Sequence, residues 1–212
     1  MVASAASSVS NVRARALREA MRLFAAHGFD GTALQDVADA VGVTKPSVLH
    51  HFPSKEALRE AVLETLLAHW KDELPRLLLA ASAGEDRFDA VFIAVHKFFS
   101  EEPDRARVVL REALDRPEET RALLRRAVRP WLELVAGYIR GGQAVGSHHS
   151  TADAEAYVLH VLGAVISSAA CADVLSAALP GRSRPRFDRE LARIAKDSLF
   201  LPAPARPKRT RR

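Results

Sequence analysis

Apolar residues recur at helical spacing along most of this chain. In residues 11–27 they fall on one side of a helix, while Arg13, Arg15, Arg18 and Arg22 occupy the other side. Runs of β-branched residues are short, which favours helix over sheet. Further helices are predicted at about 33–41, 45–51, 55–75, 86–100, 104–115, 117–140, 151–179 and 188–200. The pattern therefore predicts an all-α fold.

Glycine and proline separate the predicted helices. The breaks are Ala83-Gly84, Pro103, Pro117, Gly141-Gly142, Gly146 and Pro180-Gly181. Two further prolines lie inside predicted helices or at their ends. Pro75 is expected to bend or end the fourth helix, and Pro130 is expected to kink or divide the segment 117–140.

The second and third helices have the signals of a helix-turn-helix. Thr32 stands three residues before Gln35, a spacing at which both side chains can cap a helix that begins near Ala33. Gly42 then allows a sharp turn, and Thr44 is predicted to cap the third helix. Two short helices joined by a tight glycine-containing turn form this motif.

The third helix is rich in side chains that can hydrogen-bond to DNA bases or contact phosphates. Thr44, Lys45, Ser47, His50 and His51 supply hydroxyls and donors of the kind that a helix in the major groove uses. Ser54 is predicted to cap the fourth helix. The four arginines of the first helix are either a solvated face or contacts to phosphates.

Residues 23–58 together resemble the DNA-binding domain of the TetR family of transcription regulators. The resemblance rests on Leu23 to Phe29, Thr32, Asp36 to Ala38, Val41 to Lys45, and His50 to Leu58. It implies that Thr32 and Gln35 contact the DNA backbone and that Thr44, Lys45 and Ser47 approach bases or phosphates. It also implies that His50 and Lys55 contact phosphates.

Two residues depart from the family pattern. Pro46 stands where glycine is common, and Leu49 stands where a tyrosine often binds a phosphate or sugar. Leu49 cannot make that hydrogen bond. Either affinity is lower, or Leu49 contacts a thymine methyl or a sugar, or His50 and Lys55 supply the phosphate contacts.

The resemblance also implies a cavity for a small, largely apolar molecule and a dimer interface in the C-terminal helices. The candidate ligand contacts are Trp70, Phe92, His96, Phe99, Trp131 and Tyr138, with Glu112 as a further polar group. The helices 151–179 and 188–200, including Leu191, Ile194, Ala195 and Leu199, are predicted to form half of an intermolecular four-helix bundle.

The net charge of +5 comes from the end of the chain, because residues 206–212 hold five of the basic residues and no acidic residue. The predicted layout has a disordered arm (1–10), a DNA-binding domain (11–57), a ligand-binding and dimerisation domain (58–201) and a basic disordered tail (202–212). A role of this tail in binding nucleic acid is the alternative.

Composition also bears on location and chemistry. The single cysteine, Cys171, cannot form an intramolecular disulfide and is expected to be an inert buried thiol in a reducing interior. No export or membrane signal is recognised, since 154–179 carries Glu155, His160 and Asp173. The chain is therefore predicted to be cytoplasmic.

An enzyme is the more remote alternative. His148, His149 and Asp153 could be metal ligands, but adjacent histidines in a Gly/Ser loop are more often exposed loop residues. We expect no catalytic residue, no metal and no cofactor. The sequence predicts a ligand-responsive dimeric regulator of transcription, most simply a repressor on a palindromic operator. A further alternative is a DNA-binding regulator whose C-terminal domain only dimerises or docks a partner.

Overall fold

The computed structural model describes residues 2–80, 85–179, 181 and 184–201. Within these ranges the chain forms α-helices and no strand, as predicted. The helices are α1 (Val2–His27), α2 (Leu34–Val41), α3 (Lys45–His51), α4 (Lys55–Ala80), α5 (Glu85–Glu101), α6 (Pro103–Asp115), α7 (Pro117–Leu123), α8 (Arg129–Ala144), α9 (Ala154–Ser176) and α10 (Arg184–Asp197). The first three helices and the start of α4 form an N-terminal unit, and the remaining helices form a larger bundle.

The N-terminal end differs from the prediction. Residues 1–10 were expected to be a disordered arm, but α1 already begins at Val2. Alanine and serine dominate this segment, and it contains neither glycine nor proline, so nothing stops the amphipathic helix from extending backward. The predicted basic tail at 202–212 lies outside the described residues, as do the breaks at Ala83-Gly84 and Pro180.

The two internal prolines act differently. The helix α4 continues through Pro75 to Ala80. Pro75 is exposed, so water can hydrogen-bond to the carbonyl that proline leaves without a partner. The predicted division of 117–140 is seen just before Pro130. There a π-helical segment (Leu124–Val128) joins α7 to α8, and Pro130 lies in the first turn of α8, where its missing N–H is tolerated.

The helix α9 is the centre of the bundle. It packs against α5, α6, α8 and α10, and Val165, Ile166 and Ala169 lie in the main core. Among the described residues it is also the one helix long and apolar enough to cross a membrane, with a mean hydropathy of 1.9. A core helix of a soluble bundle has the same composition, and the packing on four neighbours fits that role.

The end of the bundle is closed by a buried histidine. His148 is 1% exposed, its Nδ1 lies 3.0 Å from the Ile139 carbonyl, and its ring packs against Phe200. A Cβ at Gly142 would lie 2.1 Å from this ring, so the close approach requires glycine. Asp153, the third proposed metal ligand, accepts hydrogen bonds from two backbone N–H groups of α9. These residues therefore have structural contacts, and among the described residues no cluster of potential metal ligands forms.

Two predictions about the C-terminal helices need correction. Ala195 and Leu199 are buried in the chain's own core instead of facing outward, while Ile194 is exposed. Cys171 was expected to be buried, but it is exposed on α9. The hydrophobic pattern marks both sides of these helices as apolar, so the sequence does not reveal which side faces the chain's own bundle.

Candidate nucleic-acid interface and ligand cavity

The helices α2 and α3 pack against each other and against α1 as a helix-turn-helix. Their buried residues are Val37, Ala38, Val41 and Val48. Gly42 has a φ of 74°, the left-handed region in which a Cβ would be strained, and the Val43 N–H donates to the Ala38 carbonyl at 3.0 Å. The glycine turn and the apolar contacts together fix how α3 projects from the domain.

The prediction that Thr32 and Gln35 cap α2 is wrong. Ala33 holds the N-cap position, and its N–H donates to the Asp36 carboxylate at 2.7 Å. The Thr32 hydroxyl instead donates to the Gly28 carbonyl at 2.8 Å, and Thr32 is only 2% exposed. This hydroxyl closes the turn between α1 and α2, so the implied backbone contact does not suit the Thr32 side chain. Gln35 is exposed, and its amide donates to Asp39.

The helix α3 and its N-cap residue present a mostly polar surface to solvent, which we name the recognition face. It consists of Thr44, Lys45, Pro46, Ser47, Leu49 and His50, all of them exposed or half-buried. Thr44 occupies the N-cap position but does not cap the backbone, because its hydroxyl lies 2.9 Å from that of Ser47. A row of hydroxyl, ammonium and imidazole groups on one exposed helix is suited to base edges and phosphates.

Lys55 lies beside the recognition face at the start of α4. Its ammonium is 4.3 Å from the centre of the Phe29 ring and 3.5 Å from the Asp30 carbonyl oxygen. The ring attracts the cation and holds it near the turn between α1 and α2. Lys55 is half-buried, so its stem is fixed while its charge remains near the surface.

The arginines of α1 are mostly engaged within the protein. The Arg15 guanidinium donates to the Val41 carbonyl, and that of Arg13 lies 5.3 Å from the centre of the Phe52 ring. Arg22 pairs with Glu19 at 2.8 Å, and Arg18 is exposed. Arg13 and Arg15 thus hold α1 against the helix-turn-helix, a role that the sequence pattern did not separate from solvation or phosphate contact.

Ser54 caps α4, as predicted, because its hydroxyl accepts the Ala57 N–H at 3.0 Å. A hydrogen bond from its own backbone N–H, and after it one with the Ser54 side chain, lower the pKa of Glu56 below its ordinary value. Ser54→Ala is expected to lower the free energy of unfolding by about 1 kcal/mol, the usual effect of losing such a cap. Urea denaturation measures the change. Ser100→Ala, within α5, is the control and should change stability by less than half as much.

A charged junction connects the N-terminal unit to α6 and α7. Arg59 of α4 makes a bidentate ion pair with Glu112 of α6, and both residues are buried. Arg59 also contacts Glu119 at 2.7 Å. Burial by itself would lower the pKa of Arg59, but the hydrogen bonds and charge of Glu112 raise it above its ordinary value. Glu112 is therefore held by Arg59 and does not face the ligand cavity, contrary to the prediction.

Two further arginines of this junction contact the C-terminal end of α1 and the turn after it. Arg111 donates to the carbonyls of Ala25 and Ala26, each at 2.9 Å. Arg116 contacts Asp30 at 2.8 Å and lies 4.3 Å from the centre of the Phe29 ring. Arginine at a helix C-terminus satisfies carbonyls that have no partner within the helix. The position of the recognition face is thus tied to α6 by polar contacts as well as by packing.

A cavity of about 110 Å³ lies inside the larger bundle. Four of the six predicted ligand contacts line it, namely Trp70, Phe92, Trp131 and Tyr138. The other two do not. His96 pairs with Asp188 of α10 at 3.4 Å, and Phe99 is buried in the core beyond the cavity. The role of the four lining residues as ligand contacts stays a prediction.

The wall of this cavity is almost wholly apolar. Lining residues that the sequence did not single out include Val91, Leu132, Val135, Tyr157 and Val158. The Tyr157 hydroxyl donates to the Ala195 carbonyl at 2.5 Å, and burial raises its pKa well above the ordinary value. The hydroxyl therefore stays protonated and faces the backbone of α10.

One face of α9 has no partner among the described residues of this chain. It consists of His160, Gly163, Ser167, Cys171 and Val174, which recur at helical spacing and are exposed. Most of them are small, which allows two helices to approach closely. Ile194 of α10 is also exposed.

The N-terminal unit matches a known family in sequence. The family described as "Bacterial regulatory proteins, tetR family" has a model that matches residues 16–62. The transcriptional regulator RutR of Escherichia coli K12 is 44% identical over 62 residues, which are 29% of each chain. The repressor KstR2 of Mycolicibacterium smegmatis is 32% identical over 78 residues, 37% of this chain and 38% of KstR2. This chain therefore matches only 29% to 38% of these relatives' length.

The fold is similar over nearly the whole chain. The solved structure of the ketosteroid transcriptional regulator KstR2 of Mycobacterium tuberculosis has a TM-score of 0.72 at 16% identity and covers 89% of this chain and 95% of its own. A TetR-family regulator from Agrobacterium tumefaciens has a TM-score of 0.69 at 18% identity and covers 91% of this chain and 100% of its own. These likenesses establish the fold, and none of these matched proteins is described as an enzyme.

Proposed function

From the match of residues 16–62 to the tetR family of bacterial regulatory proteins, we propose that the chain is a ligand-responsive transcription regulator of the cytoplasm. It binds a palindromic operator as a homodimer and releases the operator when a small, largely apolar molecule enters the C-terminal cavity. The main support for this proposal is that α4 connects the recognition face to the cavity. Lys55 at the start of this helix lines the same surface depression as Lys45 of the recognition face, and Trp70 and Leu74 near its other end line the cavity.

A single rigid element can couple two sites when its position differs between two states of the protein. Trp70 is fifteen residues after Lys55 on the same helix, which corresponds to about 22 Å along its axis. A ligand that prefers a different position of Trp70 therefore also changes the favoured position of the recognition face. Ligand binding shifts the population toward the state that no longer fits the operator.

The homodimer is supported by the free face of α9. Two recognition faces must stand about 34–36 Å apart to enter successive major grooves on one side of the duplex. A two-fold symmetric interface through α9 and α10 provides one recognition face from each chain for the two halves of a palindrome. Small exposed residues along α9 suit such a contact.

Arginine at Gly163 of α9 is expected to disrupt the dimer. A Cβ at this position meets no atom within 4 Å in one chain, so Gly163→Arg leaves the fold intact but blocks close approach of a second α9. Sedimentation should show the dimer dissociation constant raised about tenfold or more, as expected for about 1.4 kcal/mol of lost association free energy. Gly137→Arg on α8 is the matched control, since its Cβ position is equally open. If both variants remain dimeric, α9 is not the interface.

Binding-site selection from random DNA tests the proposed roles on the recognition face. Lys55→Ala is expected to weaken binding several-fold and about equally for all sequences, and to reduce the salt dependence by about one counterion. Ser47→Ala is expected to shift base preference instead, because its hydroxyl lies where base edges would be read. The opposite pattern would exchange these two assignments, and the absence of any enriched palindrome would contradict the proposed function.

A further inference from the structure

The chemistry of the cavity wall narrows the class of ligand, and this inference rests on the proposed function. Of the twenty residues that line the cavity, seventeen are aliphatic residues, phenylalanine or tryptophan. The other three are Arg87, Tyr138 and Tyr157. Among the described residues, the wall includes no acidic, amide or imidazole side chain and no serine or threonine. A wall of this composition binds an apolar body by removing its surface from water.

The three polar residues of the wall have contacts within the protein. The Tyr157 hydroxyl donates to the Ala195 carbonyl at 2.5 Å, so its proton is already used. The Arg87 guanidinium lies 5.5 Å from the centre of the Tyr138 ring, which attracts the cation. The Tyr138 ring also meets the ring of the buried His148 edge-on, with ring centres 5.3 Å apart. A ligand with a hydrogen-bonding or charged group would therefore lose water at that group without gaining a partner from the wall.

The volume of the cavity suits a single ring. An apolar cavity of about 150 Å³ holds a benzene molecule, and the volume here is about 110 Å³. Trp70 and Trp131 lie with ring centres 6.4 Å apart, and the ring of Phe88 stacks on that of Phe92 with centres 5.8 Å apart. Aromatic walls of this kind favour a flat ring, which they contact by its edge or its face. A fused polycycle or a long acyl chain would require the bundle to expand.

We propose that the effector is a neutral aromatic hydrocarbon of single-ring size, without a hydroxyl, amine or carboxylate, held among Trp70, Phe88, Phe92 and Trp131. Its affinity comes from burial of apolar surface and from contacts between rings. The affinity therefore falls when a polar group is added to the hydrocarbon, and it falls further with a charge than with a hydroxyl.

Calorimetry in sealed cells with toluene, benzyl alcohol and benzoate tests the proposal on the full chain. These probes share one ring, which carries a methyl, a hydroxymethyl or a carboxylate group. The wild-type protein is expected to bind toluene at least about tenfold more tightly than benzyl alcohol, because the hydroxyl loses its hydrogen bonds to water, and to bind benzoate more weakly still. The proposal is overturned if toluene does not bind, or if either polar probe binds within about tenfold of toluene.

Tryptophan fluorescence locates the bound ring without any substitution. Trp70 and Trp131 are the two tryptophans of the sequence, and both line the cavity. Their emission, excited at a wavelength that toluene does not absorb, should change with the same midpoint as the calorimetric titration. Heat of binding without a change in emission would place toluene elsewhere on the protein and contradict the assignment.

The variant Val91→Phe tests the location independently. Val91 lines the cavity, and the larger side chain should fill the space of the ligand and weaken toluene binding about tenfold or more. Val145→Phe is the matched control, because Val145 is 79% exposed at the end of α8 and lies outside the cavity wall. Equal affinities of the two variants for toluene would contradict binding in this cavity. If Val91→Phe does not fold, the fluorescence titration decides the location.

Operator binding on the same preparations separates this inference from the proposed function. Toluene should release the operator from the wild-type protein and from Val145→Phe, but not from Val91→Phe at the same concentration. A protein that binds its operator yet ignores toluene contradicts the ligand class alone. A protein that binds toluene yet selects no operator contradicts the proposed function alone.

Discussion

Glu112→Ala is expected to lower the free energy of unfolding by about 3 kcal/mol, because it leaves the buried Arg59 guanidinium without its main partner. Both residues are less than 10% exposed, and Arg59 donates to Glu112 from Nε at 2.9 and 3.0 Å. Removing one member of a buried ion pair leaves the other charge desolvated and uncompensated. The contact of Arg59 with Glu119, whose side chain is 52% exposed, keeps the loss near the lower end of the usual range.

Guanidinium chloride denaturation measures this loss of unfolding free energy, and two other variants are needed to interpret it. Glu118→Ala removes an exposed carboxylate that pairs with Arg121 on α7, and it should change stability by about 0.5 kcal/mol or less. The double variant Arg59→Met with Glu112→Leu should recover most of the lost stability, since neither charge then remains buried. Equal losses for Glu112→Ala and Glu118→Ala would mean that the Arg59 pair is solvated and is not a central contact of the junction.

Lys45→Glu is expected to weaken operator binding on the order of 100-fold at moderate salt. Lys45 is exposed in the first turn of α3, at the centre of the recognition face. The substitution removes an attraction to phosphate or to a base acceptor and places a negative charge against the DNA. The fold should not change, because the side chain takes no part in the core.

Fluorescence anisotropy with the selected operator measures the effect of Lys45→Glu. The matched control is Lys97→Glu on α5, which changes the net charge of the chain by the same amount at an exposed position paired with Glu101. This control should retain affinity within about threefold, because its charge is remote from the proposed interface. If both variants weaken binding equally, the affinity reflects overall charge and not a defined recognition face.

Local signals in the sequence were enough to locate the helix-turn-helix. Gly42, the proline at position 46 and the serine cap at position 54 act through their immediate neighbours, so their structural consequences can be deduced from spacing alone. The error at Thr32 has the opposite cause. The Thr32 hydroxyl donates to the Gly28 carbonyl in the turn after α1. The Asp36 carboxylate, and not Gln35, accepts the hydrogen bond from the backbone N–H at the start of α2.

The cavity could be predicted only in part, because its residues come together from distant helices. Phe92 faces the cavity, but only the stretch from Arg87 to Val95 of α5 lines it, so Phe99 lies beyond its end. His96 pairs with Asp188, 92 positions away in the sequence, and Glu112 pairs with Arg59, 53 positions away. No periodicity in the sequence reveals such pairs, and Arg87 was missed because a single arginine on a predicted helix is usually solvated.

Capture and sequencing of genomic fragments on the purified protein, at moderate and at raised salt, tests whether it binds a specific operator. We expect a small number of fragments to survive raised salt and to share a palindrome whose half-sites are about one helical turn apart. A palindromic site adjacent to the protein's own gene would give the strongest support. Retention of fragments without a shared sequence, lost as the salt concentration rises, would contradict a specific operator-binding regulator.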